Sequence, residues 1–178
     1  RNGAALGQAG IVGSNAAASF DGINDFVEVV TASGAGGSGP AKIIAFGDSY
    51  ADDDNAVTLL LASPFVPQAT KDQLLQVYST GRFSGGTNYI DTLAQLLNVP
   101  VYNFAVGGAL TNDVNTNGPI LPGFTTEWNA FLNGGGGVFP TDAGTFDEND
   151  LVTVSIGGND ARFYEQTGGT QAGATAAA

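Results

Sequence analysis

The sequence predicts an α/β fold built on a parallel sheet, and three observations carry that prediction. Short continuous apolar runs at 42–46, 101–106 and 150–156 have the character of strands buried on both faces. Stretches with apolar residues on one helical face lie between them, so strand and helix alternate. Each run then opens into glycine and small polar residues, and in open α/β sheets ligand sites form beyond the carboxyl ends of the strands.

The elements follow in chain order. Residues 1–30 form a leader in which "ASFDGINDFVEVV" (18–30) places Phe20, Ile23, Phe26, Val27 and Val29 around an Asp-Gly turn signal. That pattern predicts a β-hairpin extension, which must pair with something because a lone hairpin is marginal in water. Over about ten residues, "FDGINDFVEV" also resembles the opening strands of laminin-G-like jelly rolls. Residues 31–41, rich in glycine and serine, form a linker. The main domain occupies 42–178.

It opens with "KIIAF" as the first parallel strand. "NYIDTLAQLLN" (88–98) puts Ile90, Leu93, Ala94 and Leu97 on one face of a helix, and Lys71 lies in another helical stretch. Pro100 precedes the second strand, "VYNFAV". "FTTEWNAFLN" (124–133) predicts a helix capped by Thr125 or Thr126 and ended at Gly134. "DLVTVSI" is the third strand, and "TGGTQAGATAAA" either starts an Ala-rich helix or is a frayed tail. A doubly wound sheet normally has about five strands. Three are legible, so the sheet reads as incomplete.

Composition narrows the chemistry. The 178 residues carry a net charge of −12, with charged residues at 12%, and hold neither cysteine nor histidine. Nothing in so acidic a chain would neutralise phosphates, which argues against nucleic acid and anionic membranes. The lack of cysteine removes disulfides, thiolate metal sites and cysteine nucleophiles, and the lack of histidine argues against an ordinary transition-metal site. No apolar run reaches the roughly 18 residues that span a bilayer. Asp52, Asp53 and Asp54 lack the alternating spacing of a calcium loop. No cofactor or metal is expected. The composition suits a bacterial-type secreted or cell-surface protein, and the Arg1 start suggests cleavage.

The candidate site comes from the strand ends. Gly47-Asp48-Ser49, the stretch 103–108 ending in Gly107-Gly108, and Gly157-Gly158-Asn159-Asp160 must converge at one edge of the sheet. Each has a plainer reading alone: Ser49 as a helix cap, the two glycines as a tight turn, Asn159 and Asp160 as turn formers. Together, "FGDSYADDDN", "GRFSGG", "YNFAVGGA" and "IGGND" resemble, in order and spacing, the GDSL or SGNH family of serine esterases and lipases, nearest its bacterial exported and autotransporter-linked members. The resemblance runs over about 42–160 and implies a flavodoxin-like α/β domain that hydrolyses carboxylic esters through an acyl-serine. It assigns Ser49 as nucleophile and first oxyanion N–H donor, Gly108 as second N–H donor and Asn159 as side-chain donor. Asp52, Asn55 and Arg82 match further family positions, with structural roles expected.

The family's late Asp-x-x-His motif, its base and acid, has no counterpart because the chain has no histidine. A serine hydroxyl without a base is a poor nucleophile at neutral pH. Lys42 begins a strand at the far end of the sheet from Ser49, Lys71 has no motif around it, and ordinary carboxylates are weak bases. Two expectations follow. The chain is the N-terminal part of an esterase whose base comes from its own C-terminal portion or another polypeptide. Alternatively, it is a non-catalytic structural, filament-forming or adhesive element that pairs with copies of itself through an open sheet edge.

Overall fold

The computed structural model describes residues 5–9, 16–19, 39–141 and 144–170, the first two segments as backbone only. The chain divides into two compact units, Arg1–Gly37 and Ser38–Ala178. In the first, β1 (Ala5–Ala9) pairs antiparallel with β2 (Ala16–Ser19), with a register shift between Ala5 and Gln8. The hairpin expected around Asp21-Gly22 lies, past Ser19, outside the described residues.

The second unit is α/β. Its elements are β3 (Lys42–Gly47), α1 (Asn55–Ala62), α2 (Gln68–Val77), α3 (Tyr89–Leu97), β4 (Val101–Asn103), α4 (Phe124–Leu132), β5 (Asp150–Ser155) and α5 (Gly158–Gln166). The three strands form a parallel sheet in the order β4-β3-β5. Among the described residues, no helix is long and apolar enough to cross a membrane.

β3 is central because its side chains serve two faces. Ile43 and Ala45 pack with Ala51, Ile90 and Ala105 on the side where α3 contributes Leu93, Ala94 and Leu97. Ile44 and Phe46 pack with Phe104 and Phe131 on the α4 side, joined by Phe124, Trp128, Phe139 and Phe146. The Phe46 ring stacks on Phe104 at 5.4 Å and meets Phe131 edge-on at 5.5 Å, geometries that aromatic quadrupoles favour.

α3 has local signals at both ends. Asn88 and Asp91 form a reciprocal capping box, and Asn98 closes the helix in the left-handed region. α4 differs from expectation at its start. Its N-cap is Gly123, not Thr125 or Thr126, and the Thr126 hydroxyl bonds the Asp113 carboxylate instead. A Cβ at Gly123 would collide with the carbonyl oxygens of Asn112 and Val114, so close loop packing decides the cap. β4 is also shorter than the apolar run 101–106. The Asn103 side chain accepts the Ala105 N–H at 2.9 Å, and beyond it the chain follows β3 loosely, through Phe104 N–H to the Ala45 carbonyl and Val106 N–H to that of Gly47.

Candidate active site

The three strand ends converge. β3 runs into Gly47 with φ +141°, where a Cβ would strike the Ser155 carbonyl of β5. The chain turns there, and the Asp48 carbonyl accepts the N–H groups of both Ala51 and Asp52 at 3.0 Å. The half-buried Ser49 stands on this turn.

The turn is held from several directions. Asn88 and Asn103 both donate side-chain N–H groups to the Ala51 carbonyl, at 3.1 and 2.7 Å. Asn55 bonds the carbonyls of Asn103 and Ala105, both at 3.0 Å. Asp52 accepts N–H groups from Asp54, Asn55 and Ala56, and from Gly107 at 2.6 Å. Burial pushes its carboxyl up to about 6 despite those four donors. With both oxygens so engaged, Asp52 is a loop clamp.

That clamp brings the second strand end to the first. A Cβ built on Gly107 would lie 3.8 Å from Ser49 Cβ. Gly108 follows with φ +86°, and a Cβ on it would collide with the Asn117 side chain, so both backbone and neighbour demand glycine. Asn115 holds the same loop by donating to the Gly107 and Pro122 carbonyls at 3.0 and 2.8 Å. Gly107 has its N–H bonded to Asp52. The N–H groups of Ser49 and Gly108 have no acceptor among the described residues.

The third strand end arrives through α5. Its Gly157-Gly158-Asn159-Asp160 stretch opens a helix instead of forming a turn alone. Asn159 Nδ2 donates to the Ala109 carbonyl at 3.1 Å. Asp160 accepts the Thr111 N–H at 3.1 Å and its hydroxyl at 2.6 Å. A Cβ on Gly158 would lie 4.0 Å from Asp48 Oδ2. Asp48 is buried, which raises its carboxyl above the ordinary value, with nearby Asp160 adding to the effect.

Two groups lie away from this cluster. Lys42 pairs with Asp150 at 3.6 Å where both strands begin, and Lys71 Nζ donates to the Leu61 carbonyl at 2.6 Å. Arg82 makes a two-pronged contact with Asp91, at 2.5 and 2.6 Å, and bonds the Thr80 carbonyl. Ser49 Oγ has no hydrogen-bond partner among the described residues. The sequence reading passed over Glu127, which lies beneath the site and accepts N–H groups from Gly47 at 2.9 Å and Val106 at 3.1 Å. A charged residue in the midst of the aromatic pattern 124–131 was the available signal.

A parallel α/β sheet with a serine turn, a glycine loop and an asparagine at its carboxyl edge has the layout of a hydrolase. The family model described as GDSL-like Lipase/Acylhydrolase matches residues 43–177. The chain belongs to that GDSL/SGNH family of hydrolases. No curated protein matches it.

Proposed function

We propose that this chain carries the nucleophile and oxyanion half of a carboxylic-ester hydrolase that works through an acyl-serine intermediate. Its histidine base and acid partner come from outside these 178 residues, which contain no histidine. The observation that carries the reading is the division of labour in the glycine loop. Gly107 N–H is consumed by Asp52, whereas the N–H groups of Ser49 and Gly108 are unspent.

In the reaction Ser49 Oγ attacks the ester carbonyl carbon while its proton passes to the supplied base. The carbonyl oxygen becomes an oxyanion facing Ser49 N–H, Gly108 N–H and the Asn159 amide. The C–O bond to the alcohol breaks, the alcohol takes the proton, and water then releases the acid from Ser49. Preorganised donors of this kind are worth about 3–4 kcal/mol each. Asn159 Nδ2 has a second hydrogen beyond the one given to Ala109, so anchoring and catalysis are compatible. The acidic, cysteine-free composition supports a secreted or cell-surface setting.

The test is labelling by a fluorophosphonate ester, read by intact mass and peptide mapping. Labelling of Ser49, at a rate that rises when a polypeptide supplying the Asp-x-x-His segment is added, is the expected result. A Ser49 that stays unlabelled in the completed protein would sink the enzymatic reading.

A specific observation favours a second reading, assembly without catalysis. Among the described residues β5 lies at the sheet edge, and Val152 and Val154 on it are exposed. Copies joined through this edge would sediment as concentration-dependent oligomers, and a monomer at every concentration would remove that alternative.

A further inference from the structure

Glu127 has no role in the motifs at the strand ends, yet it is 0% exposed on α4. An isolated buried carboxyl is costly and persists only where its oxygens are used. Here one oxygen accepts from Gly47, two residues before Ser49, and the other from Val106, two residues before Gly108. The two backbone segments that bear the unspent N–H groups are therefore tied to a single side chain.

We infer that Glu127 is a positioning residue that sets the gap between the Ser49 turn and the Gly108 loop. Its functional meaning rests on the oxyanion reading above, but the tie itself does not. Asp52 fixes the same loop through Gly107 N–H, so two carboxyl groups hold adjacent residues of the glycine loop.

The two bonds are unequal. Among the described residues Oε2 is the only acceptor of Gly47 N–H, whereas Val106 N–H divides itself between Oε1 and the Gly47 carbonyl at 3.0 Å. Burial pushes the carboxyl up to about 9, and the nearby carboxyls of Asp52 and Asp48 push the same way, against the two N–H donors. Glu127 thus holds a neutral tie beneath a site that must stabilise negative charge. Ionising it would place an anion under the oxyanion donors.

The experiment is amide NMR on the full chain from pH 5 to 10, with wild type, Glu127→Gln and Glu127→Ala. In the wild type the amides of Gly47, Ser49, Val106 and Gly108 should shift together with one midpoint above pH 7. Glu127→Gln, which keeps one carbonyl oxygen for Gly47, should lose that titration and keep slow exchange at Gly47. Glu127→Ala should speed exchange at Gly47 roughly fivefold, the factor for one lost hydrogen bond. A titration above pH 7 that persists in Glu127→Gln, or wild-type amides that never titrate above pH 7, would overturn the inference, whereas a step near pH 6 belongs to Asp52 and is common to both proteins. So would an unchanged Gly47 exchange rate in Glu127→Ala. Should that variant fail to fold, the wild-type and Gln titrations decide alone. None of these readouts needs catalysis, so an unreactive Ser49 would fail the enzymatic reading and leave this one standing.

Discussion

β3 and β5 lie side by side in one sheet, yet they are finished to different degrees. From Ile43 to Phe46 every β3 side chain is fully buried, with α3 and α4 residues on its two faces and a strand on each edge. Among the described residues β5 has one strand neighbour, and Val152 and Val154 on one of its faces are 40% and 53% exposed. β-branched residues at alternate positions suit a covered face. The difference separates the parts of the site: the Ser49 turn and glycine loop hang from a closed core, while Asn159 follows a strand with an open edge.

The sharpest way to break this contrast is truncation at equivalent depth. Phe46→Ala removes a ring packed against Phe104, Phe124, Trp128 and Phe131, and should cost about 3–5 kcal/mol. Val154→Ala should stay within about 0.5 kcal/mol, as for exposed positions generally. Urea unfolding followed by Trp128 fluorescence measures both. Equal losses would mean that β5 is covered after all.

Next in size is the pH response of the closed half. The folded state raises Glu127 to about 9 and Asp52 to about 6, so it binds their protons more tightly than the unfolded chain. Stability is then greatest below the unfolded carboxylate values and falls as pH rises through the folded ones. The limit is about 1.4 kcal/mol for each pH unit between the two values of a group. After relaxation of the buried site, Glu127 should account for a decline of about 3 kcal/mol between pH 5 and pH 9. Glu127→Gln should flatten that part of the profile and leave the Asp52 part, near pH 4–6, in place. Thermal unfolding across pH distinguishes them, and a wild-type profile that rises with pH would refute the assignment.

The open half makes the converse prediction. A polypeptide that completes the sheet at β5 stabilises by mass action, by about 2.7 kcal/mol at a hundredfold excess over its Kd. Val152→Lys with Val154→Lys should abolish that gain while barely moving the stability of the chain alone. Stabilisation that survives both lysines would place the contact elsewhere.

The same contrast explains what the sequence disclosed. The three strands and the helices around Ile90 and Trp128 were legible because burial writes itself as apolar period and length. The meeting of Ser49, Gly107-Gly108 and Asn159 was legible because parallel topology sends every carboxyl end to one edge. The Gly123 cap was not, since it depends on the Asn112 and Val114 carbonyls, residues met only in three dimensions. Glu127 was hidden for a related reason: its partners are backbone N–H groups 80 and 21 positions away, and backbone donors leave no mark in a sequence. α1 escaped because "NAVTLLLA" reads as a buried strand as readily as a helix.

The smallest predicted effect concerns how the cover on β3 is fastened. Arg82 grips Asp91 with two N–H groups, and Asp91 also accepts the Asn88 N–H that begins α3, the helix bearing Ile90 and Leu93. β5 is fastened differently, by the Lys42–Asp150 pair at 3.6 Å, which joins the two strands where they begin. Both side chains of the pair are 24% exposed, so solvent screens it and Arg82→Gln should cost only about 1 kcal/mol or less. The Arg82 guanidinium holds Asp91 below the usual carboxylate value. That contribution is therefore full above the unfolded value and is lost as pH falls through the folded one. The pair acts at the acid end with a sign opposite to that of Glu127, so Arg82→Gln should lower stability at pH 6 and converge with wild type once acid has protonated Asp91. Failure to converge would show that Arg82 acts through its bond to the Thr80 carbonyl, which acid leaves intact. The Arg82 side chain would then be ordering the 80–87 loop, and the charge on Asp91 would matter only for capping α3.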